Sequence, residues 1–196
     1  MASDVAPAKH ISSRRAAREA ALKALYAVEV GGCEPDSAIE EVLTAQSFEP
    51  QTANFARSLV SGILARLGEL DERIVPLLAA DWDYSRIAVT DKLILRMACY
   101  ELFEMPEMPP KVSISEAVVL ANRYGGEESG RFVNGLLGRL FDLSPKVNFD
   151  PSRFESQPAE PESEAEPDPE VVEADSAAHE DLRAGKWRLR KPEGSE

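Results

Sequence analysis

The feature that most limits how this chain can fold is a stretch near its middle, Arg86 to Met105, that has almost no polar side. Leu93-Ile94-Leu95, Met97-Ala98-Cys99 and Leu102-Phe103 follow so closely that a helix through them is apolar nearly all round. Such a helix is stable only when neighbours cover every face. Nowhere does an apolar run reach the roughly 18 residues that a membrane span needs, so the cover has to be protein. The segment is expected at the centre of a domain, with the rest of the sequence supplying the helices around it.

Those helices are readable. Ser12-Ser13 offers a cap to an alanine-rich segment that runs to Val30 and stops at Gly31-Gly32, with Ala17, Ala21, Leu25 and Val28 at helical spacing. A second helix is predicted over Ser37 to Ala45 and a third from about Thr52 to Leu67, on Phe55, Leu59, Ile63 and Leu67. After Gly68, Leu70, Ile74, Leu77 and Leu78 make a fourth, bent or shortened by Pro76. The central helix is the fifth, ended by Pro106, Pro109 and Pro110. Ser113-Ile114-Ser115-Glu116 reads as a capping box opening a sixth helix that ends at Tyr124-Gly125-Gly126. The seventh runs from Glu127 to Phe141 on Val133, Leu136, Leu137 and Leu140. No segment alternates with period two, so the predicted class is all-α, seven helices over residues 12–144.

Apolar residues make up 43% of the 196 and crowd positions 16 to 143. Residues 1–11 read as a flexible arm. From residue 145 on, Glu, Pro, Asp, Ser and Ala dominate, the composition of a disordered acidic tail. Lys186-Trp187-Arg188-Leu189-Arg190-Lys191 near its end reads as a solubilising terminus. The formal charge of −13 is unevenly spread: residues 148–196 hold 14 acids and 6 bases, residues 1–147 hold 21 and 16. Within 9–23 the sign reverses, because Lys9, Arg14, Arg15, Arg18 and Lys23 face only Glu19. The local field governs electrostatic binding, so this arm matters more than the total. The first ten residues lack the apolar core of a secretory signal, and a cytoplasmic protein is expected.

Catalytic readings find no support in these residues. The only histidines, His10 and His179, fall in the terminal segments, and Cys33 and Cys99 have no partner at metal-ligand spacing. Cys99 reads as a small core residue, and no cofactor or metal is expected. Gly125 to Phe132 has the glycine spacing of a P-loop, but Arg131 replaces the lysine and Phe132 the magnesium-binding hydroxyl. Arg96, alone among apolar neighbours, calls for a structural salt bridge.

Arg14, Arg15 and Arg18 crowd one end and side of the first helix, where cations oppose the macrodipole. A helix shaped for stability alone would carry acids there, so an anion-binding arm is expected, with RNA the obvious polyanion. Phe132 lies about 90° from the centre of the seventh helix's apolar stripe at 100° per residue, close to a glycine-rich loop. So placed, it reads either as an edge of the core or as a platform for an unpaired base. Gly135 and Gly138 suggest close backbone approach by a neighbouring element.

These residues resemble a known family. Arg14-Arg15-Ala16-Ala17-Arg18-Glu19 with Ala24-Leu25-Tyr26 is similar to the opening of the NusB transcription antitermination factors. Leu95 to Leu102 resembles their central helix, and Pro109 to Ala117 and Arg131-Phe132-Val133-Asn134-Gly135 resemble two late signatures. Ala16 stands where many members have a third arginine, and Ser115 where asparagine is common. The resemblance covers residues 12–142 and leaves the acidic tail outside. It implies a seven-helix domain that binds boxA-type single-stranded RNA together with NusE, a small-subunit ribosomal protein, in the RNA polymerase antitermination complex during rRNA transcription. It places Arg14, Arg15, Arg18, Lys111 and Phe132 on the RNA side and Asp91 on the NusE side. Two other readings stay open: a homodimerising protein-interaction module, and a stand-alone relative of the RNA-binding domain of rRNA methyltransferases.

Overall fold

Three helices begin alike, with an extended residue followed by proline in the first turn. Pro35, Pro50 and Pro110 each open a helix after Glu34, Glu49 and Pro109, whose ψ angles are 132°, 147° and 130°. The missing N–H of proline costs nothing there, because first-turn amides have no intrahelical acceptor, and its fixed φ already suits the helix. A computed structural model describes residues 11–79 and 83–154. Among them are α1 (Arg14–Gly31), α2 (Pro35–Ala45), α3 (Pro50–Leu64), α4 (Leu67–Ile74), α5 (Val89–Glu104), α6 (Pro110–Gly125) and α7 (Glu127–Asp142). Short 3-10 turns cover Val75–Leu77, Tyr84–Arg86 and Pro151–Phe154. The all-α architecture with seven helices is as expected.

The sixth helix starts earlier than its capping box suggests. Ser113 caps nothing: it is buried, and its hydroxyl donates to Glu101 Oε2 at 2.7 Å. The third predicted helix is split, since Arg66 N–H turns back to Ile63 O at 3.0 Å and α4 starts afresh at Leu67. α1 ends as its glycines require. Gly32 takes φ 65°, and the N–H groups of Gly32 and Cys33 donate to Val28 O and Ala27 O.

α5 occupies the middle and packs against α1, α3, α4, α6 and α7. Ile94, Leu95, Cys99 and Leu102 are fully buried, and burial pushes the Cys99 thiol up to about 12. α2 and α3 cover the far side of α1, while α6 and α7 form an antiparallel pair on the other side of α5. Arg96 meets its expected partner. Its guanidinium donates to both oxygens of Asp71 at 2.8 and 2.7 Å, and Tyr84 O–H adds a third bond to that carboxylate. Burial pushes the Asp71 carboxyl up, yet Arg96 and Tyr84 hold it below the ordinary range.

Both edges of the domain differ from the boundaries composition suggests. Ile11 is pinned to the α2–α3 link, donating to Ser47 O at 2.7 Å and accepting from Glu49 N–H at 2.9 Å. Residues 1–10 and 155–196, with the rest of the predicted arm and tail, lie outside the described residues. At the other edge, a boundary at 144 cuts through a buried contact. Lys146 is 5% exposed, and its ammonium donates to the carbonyls of Glu101 at 2.7 Å, Met105 at 2.5 Å and Met108 at 2.6 Å. It therefore caps the C-terminal end of α5, where a cation also suits the helix dipole. Burial pulls its pKa down to about 8. Beyond it, Phe149 and Phe154 stack at 5.8 Å.

Replacing Lys146 by methionine keeps the aliphatic stem but strands these carbonyls. The Lys146→Met variant is expected to lose about 1–3 kcal/mol in urea denaturation, the cost of leaving buried polar groups unmet. Unchanged stability would place residues from 145 on outside the cooperative unit.

Candidate nucleic-acid interface

The three arginines of α1 have three different environments. Arg14, on the first residue of the helix, is exposed and lies over the Phe55 ring of α3, its guanidinium carbon 4.9 Å from the centroid. Arg15 is also exposed and reaches α6, donating from Nε and Nη2 to the two Glu116 oxygens at 2.9 and 2.8 Å. Arg18 is buried. Only 2% of the residue is accessible, and its Nε and Nη2 clasp Glu101 at 2.6 and 3.0 Å, with Met108 Sδ at 3.2 Å from Nη2. The expectation that Arg18 meets RNA phosphate is corrected on this ground. α5 passes one turn into α1, and the Glu101 carboxylate there consumes the guanidinium.

The Arg15–Glu116 fork joins the start of α1 to the middle of α6. Lys111, on the first turn of α6, is exposed. Further along the same pair of helices, Glu19 accepts from Arg123 at 2.7 Å, Tyr124 O–H at 2.6 Å and Lys23 at 2.6 Å. Burial pushes its carboxyl up, but Lys23, Tyr124 and Arg123 together hold it below the ordinary range. Side-chain bridges thus tie α1 to α6 at Arg15 and again at Glu19, and the exposed cations collect at one end of that seam.

Phe132 sits on the neighbouring helix. α7 runs back along α6, and a Cβ on Gly130 would fall 2.0 Å from Asn122 Oδ1, so the Asn122 side chain lies against the α7 backbone there. Counting from that contact at 1.5 Å per residue, Phe132 lies roughly 14 Å along α6 from Lys111. Its ring is half-buried against the core, with one part exposed. Gly135 and Gly138 do not serve close packing: both are exposed, and an added Cβ would meet nothing within 4 Å. The expected neighbour is absent among the described residues, and nothing in the structure accounts for either glycine.

Asp91 lies near the far end of this seam. It is on the first turn of α5 but only 6% exposed, wedged beside Gly125 and Ser129 where α6 gives way to α7. Ser129 O–H donates to Oδ2 at 3.1 Å, and Oδ1 has no partner among the described residues. Burial raises its pKa. The residue that the resemblance places on the NusE side is thus a buried one. A lysine at this position would push a longer side chain and an ammonium into a filled space, so that substitution disturbs the fold.

Sequence reasoning missed Glu101, Glu116 and Phe55, which decide how α1 presents its arginines. Glu101 was signalled in the same way as Arg96, as a lone charge in an apolar helix. Phe55 and Glu116 carried no local signal.

The sequence and the fold match known proteins. A family model described as the NusB family matches residues 15–142. The chain belongs to the NusB family. A transcription antitermination protein NusB from Pelotomaculum thermopropionicum is 45% identical over 130 residues, covering 66% of this chain and 90% of that protein. One from Thermus thermophilus is 40% identical over 137 residues, 65% of this chain and 89% of the relative. Among solved structures, T. maritima NusB aligns with a TM-score of 0.64 at 33% identity, covering 75% of this chain and 99% of that one. A structure of antitermination factors NusB and NusE in complex with dsRNA aligns with a TM-score of 0.60 at 26% identity, covering 66% and 96%. The family match ends at Asp142, so Lys146, which caps α5, lies beyond it.

The contrast among the arginines is measurable without RNA. Arg18→Ala strands Glu101 in the core and is expected to lose about 3–5 kcal/mol of stability, as breaking a buried ion pair does. Arg14→Ala removes an exposed side chain and should shift the urea midpoint little. Equal, small effects would contradict the buried pair.

Proposed function

We propose that this chain is a transcription antitermination factor that binds boxA-type single-stranded RNA together with NusE, within the RNA polymerase complex that transcribes rRNA. The observation that carries this is the Arg15–Glu116 fork. It fuses α1 and α6 into one face on which Arg14, Arg15 and Lys111 stand exposed, with the Phe132 ring some turns away. Cations at one end supply sequence-independent attraction to phosphate, and the aromatic supplies a platform for an unpaired base. The solved NusB–NusE complex holds double-stranded RNA. A single strand is proposed here because Phe132 has a stacking surface only for a base outside a duplex. The role needs no catalytic group. No helix among the described residues is long and apolar enough to cross a membrane, which fits a cytoplasmic partner of the transcription machinery.

Asp91 enters on the NusE side through its second oxygen. A buried carboxylate with one acceptor unmet suits a guanidinium or ammonium arriving from a basic partner, and such a bond would offset its desolvation. Ser129, which holds it, lies on α7, the helix that bears Phe132, and Gly125 ends α6 beside it. Protein and RNA would therefore meet on adjoining surfaces.

Fluorescence anisotropy with labelled boxA RNA, single-stranded and as a duplex, at several salt concentrations tests the RNA face. Arg14→Ala and Lys111→Ala are expected to weaken binding and flatten the salt dependence, since fewer counterions are released. Phe132→Ala should cost about 1–3 kcal/mol on the single strand with the slope little changed. Parental behaviour in all three variants would show that RNA binds elsewhere.

For the partner, calorimetry of Asp91→Asn with NusE is the sharper test, because the substitution keeps the shape and removes the charge. A severalfold weaker Kd is expected. An unchanged Kd removes Asp91 from the contact.

A further inference from the structure

The residues that follow the described domain are segregated by charge. Residues 155–181 carry eleven carboxylates and no lysine or arginine. The next ten residues, 182–191, carry five bases and no acid. The domain shows where this segment starts. Lys146 is bound to the carbonyl of Met108, and the Met108 sulfur accepts from Arg18 at 3.2 Å. Phe149 N–H donates to Lys146 O at 3.0 Å, and the Phe154 ring stacks on Phe149, so the chain is held at this place up to its last described residue. Lys111 comes three residues after Met108, no more than about 11 Å along the chain. The acidic segment is therefore rooted at the edge of the face that exposes Arg14, Arg15 and Lys111.

We propose that the acidic segment 155–181 occupies the Arg14–Arg15–Lys111 face of its own domain and competes there with RNA. The claim rests on the RNA reading of that face and goes beyond it by naming a second ligand, one carried by the chain itself. Carboxylates and phosphates make the same charge-assisted bonds to guanidinium and ammonium groups. Twenty-seven residues can span up to about 90 Å when extended, ample reach from their root to the face. A ligand on so short a tether is present at millimolar effective concentration. Each exposed ion pair is weak and screened by salt. The carboxylates therefore occupy the cations through exchangeable pairings and are displaced by RNA that brings more charge and a stacking base. Its effect is largest for weakly bound RNA at low ionic strength, and it raises discrimination against RNA that offers phosphates alone.

The test uses the full chain, with the eleven acids of 155–181 replaced by their amides, so that length, Lys146 and the basic block 182–191 are kept. First, backbone amide shifts of the two chains are compared without RNA. Differences are expected on residues 14–16 and 110–116, and their absence would overturn the occupancy. Second, RNA affinity is measured by anisotropy. The neutralised chain should bind single-stranded RNA roughly three- to tenfold more tightly at about 50 mM salt, with the gain falling within about twofold near 0.5 M. Shift differences combined with unchanged or weaker RNA binding would overturn the competition. Weaker binding would in addition assign the acidic block a supporting role, as a spacer for the basic block. If neither chain binds RNA while the shift differences are present, the occupancy stands and the RNA reading of the face falls. The two failures are thus separable.

Discussion

Glu101 is the point through which four parts of the molecule are joined. Its carboxylate takes both arms of Arg18 from α1 and the hydroxyl of Ser113 from α6, while its backbone carbonyl takes the ammonium of Lys146. All four residues are nearly inaccessible to water. Removing a carboxylate and a guanidinium from water is costly, and only a geometry that satisfies nearly every donor and acceptor compensates for it. The cluster therefore tolerates little variation in how α1, α5 and α6 meet. An apolar contact of the same volume would accept sliding or rotation of the helices, but this one does not.

The candidate interface inherits its shape from that constraint. With Arg18 locked onto α5, the first turn of α1 must project past the core, and Arg14 and Arg15 are carried to the surface. Arg15 then reaches Glu116, one turn beyond Ser113 on α6, so the exposed fork ties α1 to α6 while the buried one ties α1 to α5. Phe55 supports Arg14 from beneath and also lies 5.5 Å from the Arg18 guanidinium, which links the two layers. Lys146 closes the arrangement from outside the family-matched segment by tying down the turn between α5 and α6 that leads to Lys111. The exposed cations of this surface thus stand on buried or half-buried supports.

Asp91 shows a different use of burial. Here a carboxylate is desolvated with only one hydroxyl for company, and its pKa rises in consequence. Arg96, with Asp71 facing it, is fully met. The same burial thus yields a satisfied brace in one place and an unmet acceptor in the other. Only the unmet one has reason to be on an interface.

Much of this was legible in the sequence. The count and order of the helices follow from apolar spacing and from glycine and proline, and the central place of α5 follows from its lack of a polar face. Arg96 announced a partner because a lone charge among apolar residues must have one. Pro110 was read as a stop when it is a start, because proline next to a helix is compatible with either, and the serines downstream resembled a cap. Lys146 was hidden by averaging: one buried lysine does not alter the composition of a polar stretch. The arginines mark the limit of such reading. Spacing put Arg14, Arg15 and Arg18 on one side of one helix, and nothing local separates them. Their fates depend on Phe55, Glu116 and Glu101, which lie 41, 101 and 83 residues away. Local periodicity determines which residues share a face of a helix. Which of them meet water is decided by where helices cross, and that exists only once the chain has folded.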